Sequence, residues 1–215
     1  MSLREYNQLR SVMRKFSEEI PQSYDMGEAL PQIIRVLGIG QGKTFVLEDE
    51  EELNFLIDFC LHEFLSNGQT LLERYRSDHP NLEPVEITYL DAAKVSYTSL
   101  FKITEVNPSA STITVVDLLS TSEQLLPVIN VNLSKTVIPG YIIFSRLLPY
   151  EQFNTFSGML AAFDRGSERD LLKRYKVMKK RIKSERESVQ RFVACFKLKR
   201  ILKETILMRS SEILV

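Results

Sequence analysis

Two spacings of apolar residues divide the chain. Up to about residue 95 they recur every three or four positions, as on one face of a helix. From Ser96 to about residue 163 they alternate, as on one face of a strand, and beyond that the helical spacing returns. The first stripe is Leu3, Tyr6, Leu9, Val12, Met13, Phe16 and Ile20, and Pro21 is expected to end it. Asp25 with Glu28 offers a capping pair for a second short helix through Ile33, Ile34 and Leu37, stopping at Gly38. A third helix follows, with its acids gathered at the N-terminal end where they oppose the helix dipole. Its expected buried stripe is Leu53, Leu56, Ile57, Cys60, Leu61, Phe64 and Leu65, and Asn67-Gly68 breaks it. Leu71, Leu72 and Tyr75 mark a fourth helix, and Pro84 sits in the first turn of a fifth.

The middle of the chain reads as five short strands, within YTSLFKITEV, STITVVDLL, PVINVNL, GYIIFSRLL and FNTFSGMLAAF. Turn-forming segments such as NPSAS and STSEQ separate them. Five such strands predict a small antiparallel barrel-like sheet of SH3-like or OB-like size. From Ser167, which pairs with Asp170 as a cap, apolar residues from Leu171 to Leu202 predict a long helix, either continuous or broken once at about residues 184 to 188, where the stripe is thin. The fold expected is therefore α+β, in three parts able to pack as one domain: helical residues 1–95, the β unit 96–163, and a long amphipathic basic helix 164–215.

Charge changes this picture. Of 28 basic and 28 acidic residues, 16 and 7 lie from Asp164 onward, so that stretch carries +9 and the rest −9. Within residues 173–186 eight side chains are Lys or Arg and one is Glu. Lys176, Lys179, Lys183 and Arg186 fall on one expected stripe. Together with Lys173, Lys180 and Arg181 they form the candidate contact for an anion or a partner. Three occupants compete: the acidic part of the same chain or a second copy, a nucleic-acid backbone, and an anionic membrane surface. No aromatic residue interleaves with the basic ones, which argues against a stacking platform for single strands.

The candidate chemistry is thin. VLGIGQGKTF, residues 36–45, has the look of a phosphate loop. Five positions before Gly42, however, stands Leu37 rather than glycine, and the stretch follows a helix instead of a strand. It reads as a joint, with Lys43 anchoring to a nearby carboxylate. Cys60 and His62 are two apart on a helix, His79 adjoins a proline, and no second ligand pair follows, so no metal or other cofactor is expected. With two histidines and no nucleophile motif, no catalytic residue is assigned. Arg146 stands on the apolar face of a strand, and Asp117 is the expected partner in a buried ion pair. No apolar run is long enough to cross a bilayer, the first twenty residues lack an apolar signal core, and two distant cysteines suit free thiols. The expectation is cytoplasmic.

Leu100-Phe101, Asp117-Leu118-Leu119, Gly140 and the run from Arg146 to Pro149 resemble small β modules of uncharacterised bacterial proteins, some of which carry SEC-C zinc-binding segments. The resemblance spans about residues 99–158. It implies a module without an assigned activity, and no metal site carries over because the cysteine-rich segment is missing. The function expected is a non-enzymatic interaction or regulatory protein of the bacterial cytosol, engaging a protein partner or itself. The alternative is a DNA- or RNA-binding protein that uses the basic helix.

Overall fold

The computed structural model describes residues 3–41 and 44–210. Among them are eight helices and seven strands: α1 (Leu3–Ser23), α2 (Ala29–Leu37), β1 (Gly40–Gln41), β2 (Thr44–Phe45), α3 (Glu51–His62), α4 (Leu71–Asp78), α5 (Pro84–Lys94), β3 (Tyr97–Asn107), β4 (Thr112–Asp117), β5 (Leu125–Ile129), α6 (Leu133–Thr136), β6 (Ile142–Pro149), β7 (Asn154–Phe163), α7 (Glu168–Lys180) and α8 (Glu187–Ser210). The α+β class follows. No helix among the described residues is long and apolar enough to cross a membrane.

Backbone contacts separate two compact units. One comprises Met1–Tyr97 with Arg146–Met159, the other Thr98–Ser145 with Leu160–Val215. In the first, α1 packs against α3, α4 and α5. Phe16 is fully buried there, 5.0 Å from the Tyr75 ring and 5.5 Å from the Tyr89 ring. Offset aromatic contacts of this kind add roughly 0.5–1.5 kcal/mol to the burial itself. In α1 the stripe from Tyr6 to Ile20 is buried as its spacing requires, but Pro21 does not end the helix, which continues to Ser23. Leu56, Cys60 and Leu61 of the stripe expected in α3 are buried, but the burial extends beyond that stripe. Leu53 and Leu65 are exposed, whereas Glu52, Phe55, Asp58 and Phe59 are buried, because α1, α2 and α4 all pack against this helix and cover more than one side of it.

Two expected caps are absent. Asp25 accepts a hydrogen bond from the Gly27 amide instead of capping α2, and the Ser167 hydroxyl donates to the Asp164 carbonyl. A true capping box joins Thr70 and Glu73 at the start of α4. Gly38 ends α2 in the left-handed region at φ 72°, where glycine carries no Cβ penalty. The glycine stretch then forms the small β1–β2 hairpin. Gly42 and Lys43 lie outside the described residues, and so does the anchoring contact expected of Lys43.

The five longer strands form one sheet in the order β3-β4-β5-β7-β6. β4 pairs antiparallel with β3, from Phe101↔Asp117 to Asn107↔Thr112 around a bulge near Ile103–Glu105, and with β5, from Thr112↔Ile129 to Val116↔Leu125. The sheet as a whole is mixed, not antiparallel as expected. Alternation along a strand records which face is buried, not the direction of its neighbour. Here β7 lies between β5 and β6, so successive hairpins do not fill the sheet, and a longer connection bearing α6 intervenes. That connection also shortens the third strand. It stops at Ile129, and Leu133 begins α6.

Of the two readings of the C-terminal stretch the broken one holds: it is two helices, α7 and α8, packed on each other. The break falls over residues 181–186 and overlaps the thin point of the stripe. There the Ser184 hydroxyl accepts from the Arg186 amide, an alternative to helical bonding that serine readily takes. Lys179 Nζ reaches Glu187 across the break at 2.7 Å. Phe192, Val193, Ala194 and Cys195 of α8 are fully buried.

Candidate functional site

Buried charge concentrates in the first unit. Arg146 opens the part of β6 that belongs there, on a strand buried along both faces, and its side chain is 2% exposed. Its Nε donates to Asp58 Oδ1 at 2.8 Å and its Nη2 to Glu63 Oε1 at 2.8 Å, while Nη1 lies 3.4 Å from Ser96 Oγ. The expected Asp117–Arg146 pair is thus corrected. Asp117 instead accepts hydrogen bonds from the Ser99 hydroxyl and, at 2.9 Å, from the Leu119 amide. The guanidinium fork explains the choice, since it serves two carboxylates at once when one helix presents both. Asp58 lies inside α3 and Glu63 is its C-terminal capping residue.

Burial by itself would make Arg146 easier to deprotonate; the two carboxylates overcome that and raise it, so it stays charged. Asp58 moves the other way from an ordinary paired carboxylate. Burial raises its carboxyl above the usual value, against Arg146 and a hydrogen bond from Ser157. His62 is held well below its ordinary range, first by burial and then by the Arg146 charge, and is a neutral imidazole. Burial also pushes the Cys60 thiol up to about 12, so it is not poised as a nucleophile.

A pH dependence follows, and its sign is fixed by the direction of the Asp58 shift. The folded carboxyl holds its proton to higher pH than the unfolded one, so its ionisation detracts from stability progressively as pH rises above the unfolded value. Asp58→Asn removes this dependence. Urea midpoints should show wild type losing ground to the variant as pH rises above about 4, the ordinary aspartate range. A wild type that gains ground there would contradict the assignment.

The basic residues lie in the second unit. Lys173, Lys176 and Lys180 are exposed on α7, opposite the buried Leu171 and Tyr175. Lys179 is half-buried in its pair with Glu187, and Arg174 pairs with Asp170. Arg181 caps α7, and Lys183 and Arg186 lie in the connector, Lys183 exposed and Arg186 half-buried. The expected stripe of Lys176, Lys179, Lys183 and Arg186 is therefore not one helical face, because the helix ends at Lys180.

A model of one protein family matches residues 1–208, nearly the entire chain. The chain belongs to DUF7986, a family of unknown function. No curated protein and no solved structure matches it. The DUF7986 match spans both units, so the family is defined by the helical part and the sheet together, not by the β segment alone.

Proposed function

We propose that this DUF7986 member is a non-enzymatic binding protein of the bacterial cytosol, and that it engages the phosphate backbone of nucleic acid through α7 and the connector to α8. One observation carries the reading. Lys173, Lys176, Lys180, Arg181 and Lys183 are all exposed, and among the described residues none of the five is in an ion pair. Cations held ready in this way suit a polyanion whose counterions they displace. The ion pairs of the neighbouring Arg174 and Lys179 stay within α7 and the start of α8, which weakens the view that this face serves the acidic part of its own chain.

The sheet is consistent with this reading. The order β3-β4-β5-β7-β6, closing on itself with α6 between β5 and β6 along the chain, suits an OB-like barrel, a class that often carries oligonucleotide sites. The outward row of β4 and β5, however, is Thr112, Thr114, Val116, Leu125, Pro127 and Ile129, with neither a cation nor an aromatic ring to stack on a base. Contact with the backbone, without base reading, fits these residues better.

Fluorescence anisotropy with duplex DNA and with single-stranded RNA tests the proposal. With about five phosphate contacts, affinity should fall roughly 10²- to 10³-fold between 50 and 200 mM salt. The variant carrying Lys173→Glu, Lys176→Glu, Lys180→Glu, Arg181→Glu and Lys183→Glu should lose binding without losing stability. Absence of binding at low salt sinks the proposal. Charge-dependent self-association in its place would favour the competing reading, in which a second copy offers its acidic residues.

A further inference from the structure

Two adjoining cavities of the first unit differ in character. The outer cleft, of about 380 Å³, is lined by one polar face of α1, with Arg10, Ser11, Arg14 and Ser17, together with Asn54 of α3 and Gly158 of β7. It holds two guanidinium groups and no acid. Arg10 donates to the Phe156 carbonyl at 3.2 Å, and Arg14 makes no hydrogen bond or ion pair among the described residues. The inner recess, of about 50 Å³, shares Ser17, Asn54 and Gly158 with the cleft and ends against Asp58, His62 and Tyr89. Asp58 is 5% exposed and lies at the centre of the Arg146 cluster. Gly158 sits where the two cavities meet, and a Cβ there would touch nothing within 4 Å, so the passage is open because a side chain is missing.

We propose that these cavities form one site for a small organic anion carrying a hydroxyl or protonated amino group. The anionic head sits against Arg10 and Arg14, and the donor end enters the recess beside Asp58. Guanidinium groups select carboxylate or phosphate geometry, and an uncompensated pair of them in a cleft without acids favours an anion. The recess admits only a group about the size of one or two waters, so the donor end is small. Asp58 and the neutral His62 supply acceptors for its protons. The total volume matches a metabolite, not a macromolecule. This site is independent of the basic α7 face.

Titration of the isotope-labelled full chain with a series of ω-amino carboxylates, from glycine to 6-aminohexanoate, followed by amide chemical shifts, tests the site. One chain length should bind best, with shifts centred on Ser17, Asn54 and Gly158. The simple carboxylate and the simple alkylamine of that length should each bind at least tenfold more weakly. Arg14→Gln, an exposed change, should weaken the amino acid tenfold or more and leave the alkylamine unchanged. Gly158→Val should erase the preference for the amino-bearing probe. Equal binding of all lengths, shifts centred elsewhere, no binding, or indifference to both substitutions would each overturn the proposal.

Discussion

Arg146→Met lowers the stability of the protein by about 3–5 kcal/mol, the largest single-site effect expected from its electrostatics. For a chain of this size that corresponds to a fall of roughly 6–20 °C in the melting midpoint. The reason is what remains behind. Asp58 and Glu63 are 5% and 3% exposed, and each accepts a 2.8 Å bond from the guanidinium. Without it, two carboxylates share one dry site, and at least one must take up a proton or draw in water. Asp58 already holds its proton more tightly than an ordinary aspartate because burial outweighs its partners. Arg146→Lys keeps a charge but not the fork, so it should recover only part of the loss. The triple change Arg146→Met, Asp58→Leu, Glu63→Met removes the whole cluster and should return stability to the wild-type level or above, as replacement of buried ion networks by apolar groups often does. Calorimetry on the three variants decides it. A single Arg146→Met change costing less than about 1 kcal/mol would mean that the carboxylates relax into solvent, against the buried geometry.

That cluster also shows how far the sequence could be read. Arg146 was legible as an anomaly, because a charge on an apolar strand needs a partner. The partner was not. Asp117 looked suitable because it is also a charge amid apolar strand residues, and strand periodicity says nothing about which helix covers the sheet. The true partners lie 88 and 83 positions away in sequence. A signal for them exists in α3, where Asp58 falls between Phe55 and Leu61 on the face those residues bury. The expected stripe from Leu53 to Leu65 was right at Leu56, Cys60 and Leu61 but assumed a helix covered on one side only, and so it missed Asp58. Helix and strand identities survived this kind of error because they depend on local spacing. Sheet direction and the α6 excursion did not, because they depend on tertiary connection. The basic residues were identified by composition alone, and their one-stripe arrangement failed because α7 ends at Lys180, before Lys183 and Arg186.

Phe192→Ala removes a further 3–5 kcal/mol, from the other unit. Phe192 is fully buried on α8, with its ring edge-on to Phe144 of β6 at 5.6 Å and 79°. The alanine leaves a cavity in a close-packed interior and deletes the aromatic contact. Phe192→Leu keeps most of the volume and should cost under about 1.5 kcal/mol. The comparison matters for the proposed function because α8 seats α7. The two helices pack together, and Lys179 pairs with Glu187 across their junction. If α8 is core, as its buried Phe192, Val193 and Phe196 indicate, the basic face is held on a rigid support. Phe192→Ala should then weaken stability and polyanion binding together. The five-fold charge reversal should abolish binding and leave the urea midpoint near wild type. Should Phe192→Ala leave the unfolding free energy within about 1 kcal/mol of wild type, α7 and α8 would be an appended arm, and the support that places these five cations would have to be sought elsewhere.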